Sequence, residues 1–174
     1  MTCPAHALAA SRHFLEAEDV DLIRELVRRI RRRHAFVVDL GAGSGTTALA
    51  CFAERSQHIT VLTVDISADA LAWAGKAVEN IGRLADWTSL QGDAVHVGLE
   101  TQFTADLLLL DTSHEFEATL RELTAWLPHL RGRRQVWCHD YVGSRVKDAV
   151  DQLLAADVLK TYKVQGLGWS GWAL

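Results

Sequence analysis

Phe36-Val37-Val38-Asp39-Leu40-Gly41-Ala42-Gly43-Ser44-Gly45 carries an apolar run into a loop with glycine at every second position, and a helix-forming stretch, 46–54, follows. Glycine has no Cβ, so its backbone takes positive φ and can lie directly against a ligand. The amides at the start of the next helix face the same space and favour a polar or anionic group. Strand, glycine loop and helix in this order predict an α/β protein that holds a nucleotide-like molecule at a strand end.

The rest of the chain repeats the alternation. β-rich runs at 35–40, 59–66, 87–91, 105–111 and 134–139 are interleaved with helical patterns at 46–55, 68–81, 94–99, 115–127 and 143–155. That order predicts a parallel sheet with helices on both faces. Asp106-Leu107-Leu108-Leu109-Leu110 is apolar on both sides, as a central parallel strand must be. Runs at 159–164 and 168–173 are joined only by Gln165-Gly166-Leu167 and predict an antiparallel hairpin at one sheet edge. The expected fold class is α/β: a doubly wound, Rossmann-like, seven-stranded, mostly parallel sheet with an antiparallel C-terminal hairpin. Residues 16–34 read as a helix, acids first (Glu16, Glu18, Asp19, Asp21) and arginines last (Arg28, Arg29, Arg31, Arg32, Arg33), which complements the helix dipole. The arginine run is a solvated helix end or a site for an acidic partner or phosphate.

A chain of 174 residues with 49% hydrophobic content is one domain with a real core. Its net charge of −4 excludes a protein that relies on a broad basic face to hold nucleic acid. Cys3, Cys51 and Cys138 lack metal-finger or CxxC spacing, which fits a reducing compartment. Residues 1–11 have no signal-peptide pattern, and no apolar run is long enough to cross a bilayer. The expectation is a cytoplasmic protein with neither a nucleic-acid nor a membrane partner. Trp73, Trp126 and Trp137 fall in helix or strand patterns and read as core; Trp169 and Trp172 read as interface or edge-strand packing.

Dinucleotide-binding folds carry GxGxxG, whose third glycine permits close helix packing. Here Thr46 stands in that third place, and an acid, Asp39, precedes the loop inside the strand end, where it needs a polar partner. Both features disfavour a nucleotide-dependent oxidoreductase.

From Val38 to Gly45 the chain resembles the class I S-adenosylmethionine (SAM) dependent methyltransferases. The resemblance continues at Val64-Asp65-Ile66-Ser67, where an acid ends the second strand, and at Leu90-Gln91-Gly92-Asp93-Ala94 after the third. It implies cofactor contacts from Asp39, Gly41, Ala42, Gly43, Ser44, Gly45, Asp65, Ile66, Gly92, Asp93, Ala94 and Asp111. Asp65 is suited to accept from the ribose hydroxyls, or to cap the next helix. Asp93 is suited to accept from the adenine amino group, or again to cap a helix. The resemblance places Ile66 against the adenine and Asp39 near the methionine part. It also divides the chain into an N-terminal helical extension, 1–34, and a SAM-binding methyltransferase domain, 35–174.

Two polar pieces end the fourth and fifth strands: Asp111-Thr112-Ser113-His114-Glu115 and Cys138-His139-Asp140-Tyr141. These look like a branch of small-molecule O-methyltransferases, methyltransferase family 24, some of whose relatives bind Mg²⁺ through strand-end carboxylates. Carried over, Asp111, His114, His139 and Asp140 are the candidate catalytic residues, with Asp111 and Asp140 as metal ligands and His114 or His139 as base. The structural alternative is that Asp111 caps the next helix and His139 bonds a neighbouring strand end. The expected activity is methyl transfer from SAM to a small molecule, at a hydroxyl oxygen; a SAM-binding partner or regulatory protein without turnover is the alternative. Residues 1–33 are the segment left to cover the site, or a second subunit closes it in a homodimer.

Overall fold

The computed structural model describes residues 15–54 and 58–174. The first fourteen residues of the expected N-terminal extension, Cys3 among them, and Arg55, at the end of one predicted helix, lie outside the described residues.

Seven strands form one sheet: β1 (His34–Leu40), β2 (His58–Asp65), β3 (Trp87–Gln91), β4 (Ala105–Leu110), β5 (Leu130–Cys138), β6 (Leu159–Gln165) and β7 (Gly168–Ala173). The spatial order is β3-β2-β1-β4-β5-β7-β6. The first five strands pair in parallel, while β7 runs antiparallel to both β5 and β6. Among the described residues one α-helix, α1 (Ala17–Arg29), precedes β1 and five link the strands: α2 (Thr46–Phe52), α3 (Ala68–Asn80), α4 (Ala94–Glu100), α5 (Phe116–Trp126) and α6 (Val146–Ala155). The expected doubly wound sheet with its C-terminal hairpin is the fold observed.

Side-chain alternation in β4 builds both cores at once. Leu107 and Leu109 face a cluster with Val20, Ile23 and Val27 of α1, Ala48 and Cys51 of α2, and Trp137. Leu108 and Leu110 face the other, with Leu123 and Trp126 of α5, Val146 and Val150 of α6, and Trp169. Trp126, Trp137 and Trp169 are among the largest fully buried side chains. Trp73 is not core: it is 50% exposed, because α3 turns Leu71, Ala74 and Val78 inward instead.

The predicted N-terminal helix ends sooner than its charge pattern implies. Arg28 and Arg29 form the last turn of α1, Ile30 turns extended and buries its side chain, and β1 already begins at His34. Arg32 and Arg131 both pair with the buried carboxylate of Asp106, and Arg28 pairs with Glu54. Part of the arginine run therefore neutralises buried acids. A capping box starts α1: the Asp19 carboxylate accepts from the Glu16 amide at 3.3 Å. No helix among the described residues is long and apolar enough to cross a membrane.

Sheet order reverses between β1 and β4. The loops after these two strands leave in opposite directions, and open α/β sheets bind ligands in the crevice this creates.

Candidate active site

The glycine loop after β1 is shaped by contacts that only glycine tolerates. Gly41 has φ +94°, and a Cβ there would stand 1.8 Å from the carbonyl oxygen of Asp111. Its missing side chain lets the ends of β1 and β4 meet, and the Asp111 amide donates to the Leu40 carbonyl at 2.9 Å. Gly43, with φ +45°, has nothing within 4 Å of its Cβ position and leaves its backbone open to the crevice.

Asp65, at the end of β2, anchors this loop. One carboxylate oxygen accepts from the Ala42 amide at 2.7 Å and the other from the Ser67 amide at 2.7 Å. The Ser67 hydroxyl in turn caps α3 by accepting from the Ala70 amide at 3.2 Å. Next to Asp65, Ile66 is 74% exposed, an apolar side chain held out over the crevice. Asp93 caps α4, accepting from the His96 amide at 2.9 Å.

A cavity of about 590 Å³ follows this edge. Of the residues expected from sequence, Gly41, Gly43, Asp65, Ile66, Gly92, Asp93, Ala94 and Asp111 line it. Asp39, Ala42, Ser44 and Gly45 lie behind it. Ala42 is buried with its amide on Asp65, Ser44 bonds Thr46 at 2.7 Å, and Gly45 packs against Ala74. Asp39 is fully buried and accepts from the Thr63 hydroxyl at 3.0 Å, while its Oδ1 has no hydrogen-bond partner among the described residues. Burial raises its pKa to about 7 against the opposing bonds of Thr47 and Thr63.

Sequence reasoning missed Glu122 on this wall. It is 7% exposed, accepts from the Thr112 hydroxyl at 2.7 Å, and has its pKa raised by burial. Its signal was available: an acid directly beside Leu123 on the apolar face of α5, where a charge needs a reason.

A second cavity, of about 340 Å³, shares Gly43 and Asp111 with the first. Asp111, His114, His139 and Asp140 line it, with Leu15, Glu16 and Leu167 around them. The two polar pieces thus converge beside the first cavity. Parallel pairing of β4 and β5 sets them side by side, since the His139 amide donates to the Leu110 carbonyl at 2.9 Å. His114 and Asp140 take φ of 58° and 48°, left-handed conformations that turn both side chains back into the cavity.

Within the cluster, Asp111 Oδ1 is 3.0 Å from His114 Nε2 and 3.1 Å from His139 Nδ1. His114 Nδ1 is 3.0 Å from Asp140 Oδ2. Behind His139, its Nε2 lies 3.7 Å from the carboxylate of Asp19, a fully buried residue of α1 that sequence reasoning treated only as a helix-start acid. Burial alone would lower the pKa of His139, but the hydrogen bond to Asp111 and the surrounding carboxylates of Asp19, Asp111 and Asp140 outweigh it and raise the group to about 10. The bond to Asp111 likewise raises the pKa of His114. Burial would raise Asp111, yet its two imidazole partners hold it below the ordinary carboxylate range. In this state both rings are held toward the imidazolium form, so His139 carries a proton near neutral pH.

The cluster does not fit Mg²⁺. That ion demands oxygen ligands in a near-ideal octahedron. Here the imidazole of His114 is inserted between Asp111 and Asp140, the two carboxylates expected to hold the ion, and two of the donors that face one another are nitrogens.

A glycine-looped α/β sheet with strand-end acids around a nucleoside-sized crevice defines a class I SAM-dependent methyltransferase. The model of methyltransferase family 24, described as a methyltransferase domain, matches residues 38–141, and the chain belongs to that family. Solved structures share the fold. The O-methyltransferase TomG of Streptomyces achromogenes, involved in tomaymycin synthesis and solved with SAM, superposes with a TM-score of 0.76 at 12% identity over 99% of this chain and 90% of its own. The methyltransferase PaMTH1 of Podospora anserina, solved with S-adenosylhomocysteine (SAH), gives 0.73 at 12% identity over 98% and 86%. A candidate rRNA methylase of Clostridium thermocellum gives 0.71 at 12% identity over 88% and 95%. No curated protein sequence matches the chain at a significant level.

Proposed function

We propose that this enzyme transfers the SAM methyl group to a hydroxyl oxygen of a small molecule that docks over Asp111, His114, His139 and Asp140. The observation that carries this reading is the second cavity: it opens on the cofactor crevice at Gly43 and Asp111 and presents that polar cluster to whatever enters. Its volume of about 340 Å³ suits a small molecule.

SAM, when bound, supplies a methyl group on a sulfonium sulfur. The chain supplies the rest. Asp65 keeps lone pairs beyond its two backbone bonds for the ribose hydroxyls, and Ile66 offers its exposed face to the adenine. Asp93 and Glu122 stand on the same wall as acceptors for the adenine amino group. Gly41 and Gly43 let the methionine part approach the backbone, and Asp39 supports the loop from behind. The cluster at Asp111 aligns the acceptor oxygen, and the Asp111 carboxylate, held ionised by its two imidazole partners, is the group open to accept the hydroxyl proton, so that proximity supplies much of the rate.

The test is calorimetric titration with SAM and SAH, followed by incubation with SAM and a panel of small hydroxyl, amine and carboxylate compounds and RNA. Methyl transfer to hydroxyl compounds that disappears in a His114→Ala/His139→Ala double variant supports the reading. Transfer to RNA alone, or full turnover in the double variant, refutes it.

A further inference from the structure

At the end of the sheet away from the glycine loop, β5 enters through an irregularity. Leu130 pairs with Ala105 and Gln135 with Leu107, so residues 131–134 stand opposite Asp106 alone. Gly132 and Arg134 take φ of +63° and +48°, which lets the excess chain loop out of the ladder. The bulge sets Arg131 and Arg133 beside Arg29, Arg31 and Arg32, where α1 gives way to the approach to β1.

Five arginines thus line one cavity of about 380 Å³, with Asp106 as the one acid among its lining residues, in a chain whose net charge is −4. Asp106 is fully engaged. It accepts from the Phe36 amide at 3.0 Å, takes Arg131 through both oxygens at 3.0 and 3.1 Å, and stands 3.2 Å from Arg32. One carboxylate between two guanidiniums leaves positive charge over and holds both groups in place. Arg29 lies 3.9 Å from Glu25, but Glu25 is shared with Tyr162 and Lys163. Arg31 and Arg133 have no ion-pair partner among the described residues. Like charges gathered in this way repel one another until an anion enters.

An adjoining cavity of about 470 Å³ shares Arg29, Gly132, Arg133 and Gln135 with the arginine cavity. Its remaining wall is of another kind, with Leu26, Tyr162 and Trp172, the last 38% exposed. The Arg29 guanidinium lies 3.8 Å from the centre of the Tyr162 ring, so the cationic and aromatic walls meet at that residue. Gln135 is buried and ties β5 to α1 by donating to the Leu26 carbonyl at 3.3 Å.

We propose that the two joined cavities bind a nucleoside di- or triphosphate, with the base against Trp172 and Tyr162 and the phosphates among Arg31, Arg131 and Arg133. Aromatic side chains accept the flat face of any base, and guanidinium forks match phosphate oxygens. A phosphate chain carries several negative charges, as the surplus of arginines requires. The positive surface is confined to these hollows, of small-ligand size, whereas a long nucleic acid or an anionic membrane needs an extended basic face. The site is separate from the methyl-donor crevice. Arg29 ends α1, while Asp19, beside His139, lies in its first turn, about 15 Å away along the helix.

The experiment titrates ATP, in magnesium-free buffer, into the whole protein saturated with SAH, followed by calorimetry. One ATP per chain is expected. AMP and tripolyphosphate should each bind at least tenfold more weakly, the first for want of the phosphate chain and the second for want of the ring. Arg31→Gln and Arg133→Gln are exposed changes and should each weaken ATP about tenfold. Trp172→Ala should weaken ATP about tenfold and leave tripolyphosphate unchanged. SAH affinity within about twofold of wild type in each variant reports an intact fold. Absence of ATP binding to SAH-saturated protein overturns the proposal, as does ATP that SAH displaces or that binds the Arg31→Gln/Arg133→Gln double variant as tightly as wild type. Tripolyphosphate bound as tightly as ATP would overturn the nucleotide in favour of a bare anion site. Single-stranded RNA bound at least tenfold more tightly than ATP would overturn it in favour of a nucleic-acid surface.

Discussion

Replacing Asp65 by alanine should weaken SAH binding about 150-fold. In the free protein its carboxylate accepts from the Ala42 and Ser67 amides, each at 2.7 Å. A carboxylate has about four lone-pair positions, so about two remain for the vicinal hydroxyls of a ribose. Hydrogen bonds to a charged group are worth about 1.5–3 kcal/mol each, and the lower figure taken twice gives about 3 kcal/mol, or ~150-fold in Kd. The same substitution also frees the buried Ala42 amide, which costs about 1–3 kcal/mol of fold stability. Calorimetry therefore needs a companion thermal melt and a second ligand, an SAH analogue without the ribose hydroxyls. Wild type should lose most of the same factor on that analogue, whereas Asp65→Ala should hardly distinguish the two ligands, as the logic of a double-mutant cycle requires. An Asp65→Ala protein that binds SAH within threefold of wild type, or that still prefers the hydroxylated ligand by the full factor, refutes the ribose assignment.

Ile66→Ala should leave the melting temperature unchanged, since the side chain is 74% exposed, yet weaken SAH about tenfold; equal affinity would remove Ile66 from the adenine site. Gly41→Ala combines a left-handed φ of +94° with a Cβ 1.8 Å from the Asp111 carbonyl, so about 3 kcal/mol, or ~10 °C in Tm, should be lost. Gly43→Ala meets nothing within 4 Å and should spare more stability while still impairing SAH binding; melts in the reverse order would contradict the loop geometry. Asp39 supplies the pH dependence: its folded pKa is raised to about 7 from 3.8, so between those values the unfolded chain gives up a proton that the fold retains, and stability falls as pH rises toward about 7. Denaturant unfolding of Asp39→Asn should lack that decline, of order 4 kcal/mol at full extent, and a parallel decline in both proteins would clear Asp39 of it.

The alternation of runs disclosed the sheet because each parallel strand is buried on both faces and each helix carries a separate period. The glycine loop was legible for a similar reason: positive φ at Gly41, Gly43 and Gly45 writes itself into residue type. Local signals failed where two distant segments decide the outcome. Asp19 reads as an ordinary capping acid, and it does cap α1, but the approach of His139 from β5 and of Gly168 from the hairpin is what encloses its carboxylate. Trp73 reads as core from its place in a helix pattern, yet the face of α3 that packs is set by Ala74 fitting beneath Gly45. The arginine run reads as one helix end; the buried Asp106, over seventy residues away, recruits Arg32 from it. In each case the pattern gave the element, and a long-range partner gave the role.

The division of labour in the site follows the same line. Every residue lining the first cavity, from Gly41 to Glu122, lies within the residues that the family model matches. The second cavity also draws on Leu15, Glu16 and Leu167, and its histidine is backed by Asp19, all outside that range. The first cavity rests on strand ends fixed by the parallel ladder, whereas the second is closed by the start of α1 and the β6–β7 turn. On the proposed function, changes in those closing segments reach the acceptor without moving the methyl donor. Substituting Leu15 or Leu167 by alanine should therefore alter which hydroxyl compounds are methylated and their KM, while SAH affinity stays within about twofold. A comparable loss of SAH affinity in these variants would mean that the two cavities work as one, and that acceptor selectivity cannot be varied apart from cofactor binding.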